Sequence, residues 1–232
     1  MLLVVDIGNT SVTIGLYKTE KLGPRWRLAS DNERTSDEYG IILMQLLERA
    51  GVQPEEVREI AIASVVPPLT GTIETACRDY LRTNPLVVDA GTRTGIPLRC
   101  EDPKQVGADR VANAAAVRRI YKGPVCIVDF GTATTFDAIS ARGEYLGGAI
   151  CPGIGISAEA LFQRAAKLPR VDIARPKAVI GRNTVHSMQS GLYYGYLGLV
   201  EGLVGRMRDE LGGDPKIVAT GGKKQSSSSQ AI

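Results

Sequence analysis

Apolar and polar positions alternate along this chain with two different periods, and the changes of period mark its elements. Leu2 to Val5 form an apolar run that ends at Asp6-Ile7-Gly8-Asn9-Thr10, which predicts a buried strand entering a tight turn. Val12, Ile14 and Leu16 then alternate with Ser11, Thr13 and Gly15, so a second strand returns beside the first. Thr35 and Glu38 have capping-box spacing ahead of the helical pattern Ile41 to Leu47, which stops before Gly51. Glu59 to Val66 reads as a strand halted by Pro67-Pro68, Leu69 to Leu81 as a helix, and Pro85 to Asp89 as a short strand. Asp102, Pro103 and Gln105 suit the start of a helix running from Val106 to Tyr121, with Gly107 able to move that start later.

The second half starts over in the same way. Val125 to Val128 is an apolar run ending at Asp129-Phe130-Gly131-Thr132-Ala133-Thr134, with strands expected at Thr135 to Ile139 and Tyr145 to Ile150. Pro152-Gly153-Ile154-Gly155 leads into a helix near Ser157 to Lys167. A long helix is expected over Thr184 to Leu211, then a strand from Lys216 to Ala219 ending at Thr220-Gly221-Gly222. The recurrence of strand, Asp, apolar residue, Gly and Thr-rich turn predicts two related α/β halves with a ligand in the cleft between them. The expected boundaries are 1–115 and 116–222, with a low-complexity tail at 223–232 that has little means of packing.

Composition narrows the chemistry. Hydrophobic residues make up 44% of the 232 residues and charged residues 23%, enough for a soluble globular core. The first apolar stretch meets Asp6 too soon for a membrane span or a secretory signal. A net charge of +3 without a basic, aromatic-interleaved stripe gives no case for nucleic acid. Cys77, Cys100, Cys126 and Cys151 are scattered, which fits reduced thiols in the cytoplasm rather than zinc or redox pairs. His186 is the single histidine and lies near a helix start, so His-based metal sites and a Ser-His-Asp mechanism are disfavoured.

Glycine in a strand-to-strand turn lets backbone N–H groups approach an anion. Hydroxyls of Thr10, Ser11, Thr13, Thr132 and Thr134 can add hydrogen bonds to phosphate oxygens, and a strand-end Asp can orient a cation. One such turn would be ordinary hairpin chemistry. Two in matching contexts, with a third Thr-Gly-Gly turn, favour a phosphate site, while P-loop and Rossmann signatures are missing.

On these residues the sequence resembles the acetate and sugar kinase/Hsp70/actin superfamily, and within it type III pantothenate kinases. The resemblance is carried by Asp6 to Thr13, Ser64 to Pro67, Gly107-Ala108-Asp109-Arg110, Asp129 to Thr134, Gly147 to Gly153, Gly181 to Gly191 and Ala219 to Gly222, in that order. It implies duplicated actin-like (ribonuclease H-like) halves and transfer of the ATP γ-phosphoryl group to pantothenate, the first step of coenzyme A biosynthesis. It further implies ATP binding by Asp6, Ile7, Gly8, Asn9, Thr10, Ser11, Val12, Thr13 and Thr132, and substrate binding by Gly107, Ala108, Asp109, Arg110 and Thr184. Asp109 would be the catalytic base, since an alcohol nucleophile must lose its proton. Asp129 would hold a monovalent cation, potassium or ammonium, with Mg²⁺ accompanying ATP. The family pairs as homodimers, and Tyr193, Tyr196, Leu197, Val200 and Val204 supply an apolar stripe on the long helix for that contact. Cys100 stands where the family often has a pocket Tyr, and the tail departs from the family pattern. Two alternatives remain open at this point: another phosphotransferase or phosphohydrolase of the superfamily, and a non-enzymatic regulator that keeps the fold.

Overall fold

The computed structural model describes residues 1–221; Gly222 and the tail expected at 223–232 lie outside the described residues. The chain divides into two compact units. One comprises Met1–Gly95 with Glu101–Ala116, the other Ile96–Cys100 with the chain from Val117 onward.

The first unit contains β1 (Leu2–Ile7), β2 (Ser11–Lys18), β3 (Lys21–Ala29), α1 (Ser36–Arg49), β4 (Glu59–Ser64), α2 (Pro67–Leu81) and β5 (Leu86–Val88). Its sheet has the order β3-β2-β1-β4-β5. β2 lies antiparallel to both β1 and β3, whereas β1, β4 and β5 run parallel. Parallel neighbours need a crossover, and α2 supplies the one between β4 and β5. The period of two in each strand sends Leu3, Val5 and Ile7, Val12, Ile14 and Leu16, and Ile60 and Ile62 into one core. Tyr39, Leu43 and Leu47 of α1 and Leu69, Ile73 and Ala76 of α2 join the same core at helical spacing. Each fully buried Val, Leu or Ile among them contributes roughly 1.5–3 kcal/mol. Burial also pushes the Cys77 thiol up to about 12, so it acts as a small apolar group.

The second unit repeats this plan. β6 (Val125–Phe130), β7 (Ala133–Ile139), β8 (Tyr145–Pro152) and β9 (Lys216–Gly221) form a sheet in the order β8-β7-β6-β9, matching β3-β2-β1-β4 in both order and direction. The duplication expected from the sequence is therefore present, and the fold is α/β with two related halves. α4 (Ile154–Arg164) and α5 (Thr184–Leu211) complete the unit. Cys126, Val128 and Phe136 form its buried centre, with Leu199, Val200, Leu203, Val204 and Met207 of α5 packed against it. Val200 and Val204 of the expected stripe thus pack against their own sheet while staying partly exposed.

Several expected boundaries move, each for a local reason. β4 ends at Ser64, and Pro67-Pro68 open α2 instead of merely stopping a strand. Proline fits a first helical turn, whose N–H groups have no helical acceptor. The helix expected from Val106 is split. Asp102 caps a 3-10 turn at Pro103–Gln105 by accepting from the Lys104 N–H at 3.0 Å, and Val106 is extended. A new helix, α3 (Ala108–Ile120), then starts after Gly107. α4 begins at Ile154 and not near Ser157. β3 was not expected at all, because Gly23-Pro24 and its run of charges hide an edge strand. The Thr35/Glu38 capping box is present as predicted.

The β7–β8 turn carries a buried carboxylate. Glu144 accepts from Arg142 Nε at 3.0 Å, from Arg99 Nε at 3.2 Å and from Ser140 Oγ at 3.3 Å. Beside it the Arg99 N–H donates to the Tyr145 carbonyl at 2.7 Å, and the Tyr145 N–H to that of Pro97 at 2.9 Å. These bonds tie residues 96–100 to β8. The Arg142 hydrogen bond, with that of Arg99, holds the Glu144 carboxyl below the usual carboxylate range, against the opposing effect of burial. The folded protein therefore binds this proton less readily than the unfolded chain. The stabilisation is complete above the unfolded value of ~4.3 and is lost as pH falls through the lower folded value. Glu144→Gln should lower the melting temperature at neutral pH, with the gap to the parent closing in acid below that range. A gap that stays constant across a melting series from neutral to acid pH would show that the charge contributes nothing.

Candidate active site

In the first unit the register fixes which residues meet at the turn. Asp6 of β1 pairs with Thr13 of β2, and Ile7 with Val12, so the connecting turn spans Gly8 to Ser11. Ile7 and Val12 are fully buried, and Asp6, Asn9, Thr10 and Thr13 are exposed. Of the residues expected to bind ATP, Ile7 and Val12 can therefore offer only their main chain. The turn is closed by the Gly8 N–H, which donates to the Ser11 carbonyl at 3.1 Å. A residue missed in the sequence supports it: Ser30, just after β3, donates its N–H to the Thr10 carbonyl at 3.2 Å and its Oγ–H to the Gly8 carbonyl at 2.5 Å. Nothing in the local sequence signals this, because it depends on where β3 ends.

Gly107 to Arg110 belong to the same unit. Gly107 faces Val65: a Cβ built on it would stand 3.5 Å from Val65 Cγ1 and 2.5 Å from Asp109 Oδ1. The Val65 N–H in turn donates to the Ile7 carbonyl at 3.0 Å. This chain of contacts brings Asp109 to the sheet end that carries the first turn. Ala108 is buried and anchors the start of α3, and the Gly107 carbonyl accepts from the Val111 N–H at 3.1 Å. Asp109 and Arg110 are half-buried in the first helical turn, where the aligned backbone dipoles favour negative charge. Asp109 Oδ1 accepts from the Arg110 N–H at 2.8 Å, leaving its second oxygen for other work. A side chain at 107 would push the Asp109 carboxylate out of this position.

In the second unit Asp129 of β6 pairs with Thr135 of β7 and with Thr220 of β9. The turn from Gly131 to Ala133 is closed by the Gly131 N–H to the Ala133 carbonyl at 3.0 Å. Gly153, the residue after β8, donates its N–H to the Thr132 carbonyl at 3.0 Å, the counterpart of the Ser30 bond in the first unit. Asp129 is half-buried and Thr132 is exposed. Gly221 has φ +78°, and a side chain there would strike Asp129 Oδ1 and the Phe130 backbone, so glycine is required beside that carboxylate. One sequence expectation fails: Thr134 is fully buried and its hydroxyl is hydrogen-bonded to the Tyr196 hydroxyl, so it is not a phosphate donor. Thr184 is the exposed first residue of α5, and Asn183 caps that helix by accepting from the His186 N–H at 2.8 Å. Cys100 is half-buried.

The family model described as Type III pantothenate kinase matches residues 2–206. The chain belongs to this family. It is 54% identical to the type III pantothenate kinase of Geobacter sulfurreducens and 52% identical to that of Myxococcus xanthus, in each case over 96% of this chain and 87% of the relative. Among solved structures it is similar to the inorganic polyphosphate/ATP-glucomannokinase of Arthrobacter sp. strain KM, with a TM-score of 0.38 and 15% identity over 94% of this chain and 91% of that one. Among the described residues no helix is long and apolar enough to cross a membrane.

Proposed function

We propose that this protein transfers the γ-phosphoryl group of ATP to the primary hydroxyl of pantothenate, giving 4'-phosphopantothenate for coenzyme A synthesis. Family membership supports the reaction. The observation that carries the site is the contact chain from the first turn through Val65 to Gly107 and Asp109. The pantothenate hydroxyl oxygen forms the new bond to the γ-phosphorus, the bond to the β-phosphate oxygen breaks, and ADP leaves. The hydroxyl proton passes to the free oxygen of Asp109. Such transfer depends mostly on positioning and charge stabilisation. Main-chain N–H groups of Asn9 to Ser11 and the hydroxyls of Thr10 and Thr13 would hold the phosphates, with Thr132 a further ATP contact. Arg110 and the Gly107–Ala108 main chain would bind the substrate's oxygens, with Thr184 as another contact.

Mg²⁺ would enter with ATP, where it neutralises phosphate charge. Asp129 would hold a monovalent cation, potassium or ammonium. The row Thr220, Asp129 and Thr135 offers the oxygen donors a hard cation prefers. Two copies would pair as a homodimer through what α5 leaves uncovered. A cytoplasmic setting goes with the same reading, since the four cysteines are free thiols. The regulator and the other phosphotransferases raised from the sequence are not favoured, because Asp109 and both turns are intact.

Asp109→Asn keeps the side-chain shape and removes the base, so kcat should fall by about two to four orders of magnitude with the melting temperature kept. A near-normal kcat would mean another group takes the proton. Asp129→Ala should flatten the rise of activity on adding potassium to a sodium buffer, and an unchanged response would remove Asp129 from the cation site. Light scattering should give twice 24.8 kDa, and a fully active monomer would exclude a shared site.

A further inference from the structure

The cross-strand row that begins at Asp6 does not end at Thr13. Thr13 pairs with Arg27 of β3, and Asp6 pairs on its other side with Ala63 of β4. Residues paired across a sheet project from the same face. Ala63, Asp6, Thr13 and Arg27 therefore form one line across the sheet, on the face opposite the core that holds Ile7, Val12, Trp26 and Leu28. Asp6, Thr13 and Arg27 are all exposed. Among the described residues no ion pair or side-chain hydrogen bond engages the Arg27 guanidinium. Adjacent strands lie about 4.8 Å apart, a span an arginine side chain readily crosses.

We propose that Arg27 is a nucleotide-binding residue whose guanidinium takes phosphate oxygens of ATP held on the first turn. The proposal rests on the reading of Asp6 to Thr13 as that turn. The guanidinium is a planar fork that matches phosphate geometry and keeps its charge at any working pH. The second half of the molecule provides an internal comparison. Its equivalent row runs Thr220, Asp129, Thr135 and Ile150, so an exposed isoleucine stands where the first half has Arg27. Sheet pairing at this edge position is satisfied by an apolar residue, and the fold does not demand a cation there. Asp6, set in the same row, gives Arg27 an electrostatic reason to lean along the row rather than away from the sheet. Arg25 sits two pairs further from the turn, opposite Gly15, and provides a charge-matched control on the same strand.

The test is a binding titration of the full chain with a non-hydrolysable ATP analogue and with adenosine. It is accompanied by steady-state kinetics and a melting curve for Arg27→Gln, Arg27→Lys and Arg25→Gln. Arg27→Gln should weaken the analogue and raise the KM for ATP by about ten- to hundredfold, the size expected for a charged hydrogen bond. Adenosine affinity and the KM for pantothenate should change less than about twofold. Arg27→Lys should recover part of the loss, because it restores charge without the fork, and it also serves if the glutamine variant does not fold. Unchanged analogue affinity in either Arg27 variant overturns the proposal, as does an equal loss for adenosine. An equal loss in Arg25→Gln would reduce the effect to diffuse surface charge and also overturn it. Binding is read without turnover. A chain that bound the analogue through Arg27 yet did not phosphorylate pantothenate would overturn the pantothenate reading and leave Arg27 in place.

Discussion

A slip of one residue between β1 and β2 would turn one strand over against the other, exposing Ile7 and burying Asp6 if β1 moved, or exposing Val12 and burying Thr13 if β2 moved. The near-complete burial of Ile7, Val12, Ile14 and Val5 makes that slip costly, so apolar packing fixes the polar register. Everything proposed for the first turn follows from this constraint. The hydroxyls and the carboxylate stand on the exposed face because their neighbours in sequence are needed on the other. The same holds for β6 and β7, where buried Val128 and Phe136 pair beside the Asp129–Thr135 row. Polar residues at these strand ends cost little, since a strand end is where the ladder stops and solvent begins.

The parallel pairing of β1 with β4 then sets what can approach the turn. Because both strands point the same way, the segment leaving β4 emerges beside Ile7, and Val65 bonds to it directly. Gly107 packs on Val65, and α3 begins at the next residue. The proposed base is thus delivered by a helix start and not by a long loop. That suits a reaction in which accurate placement provides most of the acceleration. The glycine is there for two reasons: it separates the 3-10 turn from α3, and it leaves space for the Asp109 carboxylate.

Much of this was legible in the sequence, because the signals were local. Strand periods, the Thr35–Glu38 box, the bounds of α5 and the repeated Asp-Gly turns all depend on residues close together in the chain. What escaped depended on long-range placement. β3 reads as a charged, proline-interrupted segment until β2 is available to pair with it. Ser30 supports the first turn only because β3 returns it there. The burial of Thr134 against Tyr196 could not be foreseen from a turn that otherwise copies the first, since it requires α5 to lie across β7. The apolar stripe of α5 was correctly periodic, yet periodicity does not say which surface covers it. Val200 and Val204 went to the sheet.

The two turns show how one strand plan accommodates different surroundings. In each half the residue following the outer strand donates its N–H to a carbonyl in the turn, Ser30 to Thr10 and Gly153 to Thr132. After Ser30 the chain continues as an open link to Thr35, so a side chain fits, and its hydroxyl adds a second bond to Gly8. After Gly153 the chain turns at once into α4, with Gly153 itself as the N-cap. That sharp entry presses the Gly153 backbone onto the carbonyls of Gly131 and Thr132, where any Cβ would overlap them. Serine would gain a bond in the first setting and is sterically excluded from the second. The difference between the halves at this position therefore follows from where the next helix starts, whereas the difference between Arg27 and Ile150 has no such steric cause. Both of those side chains are exposed at an outer-strand position where the backbone accepts either, so the sheet leaves that position open to the nucleotide contact proposed for Arg27.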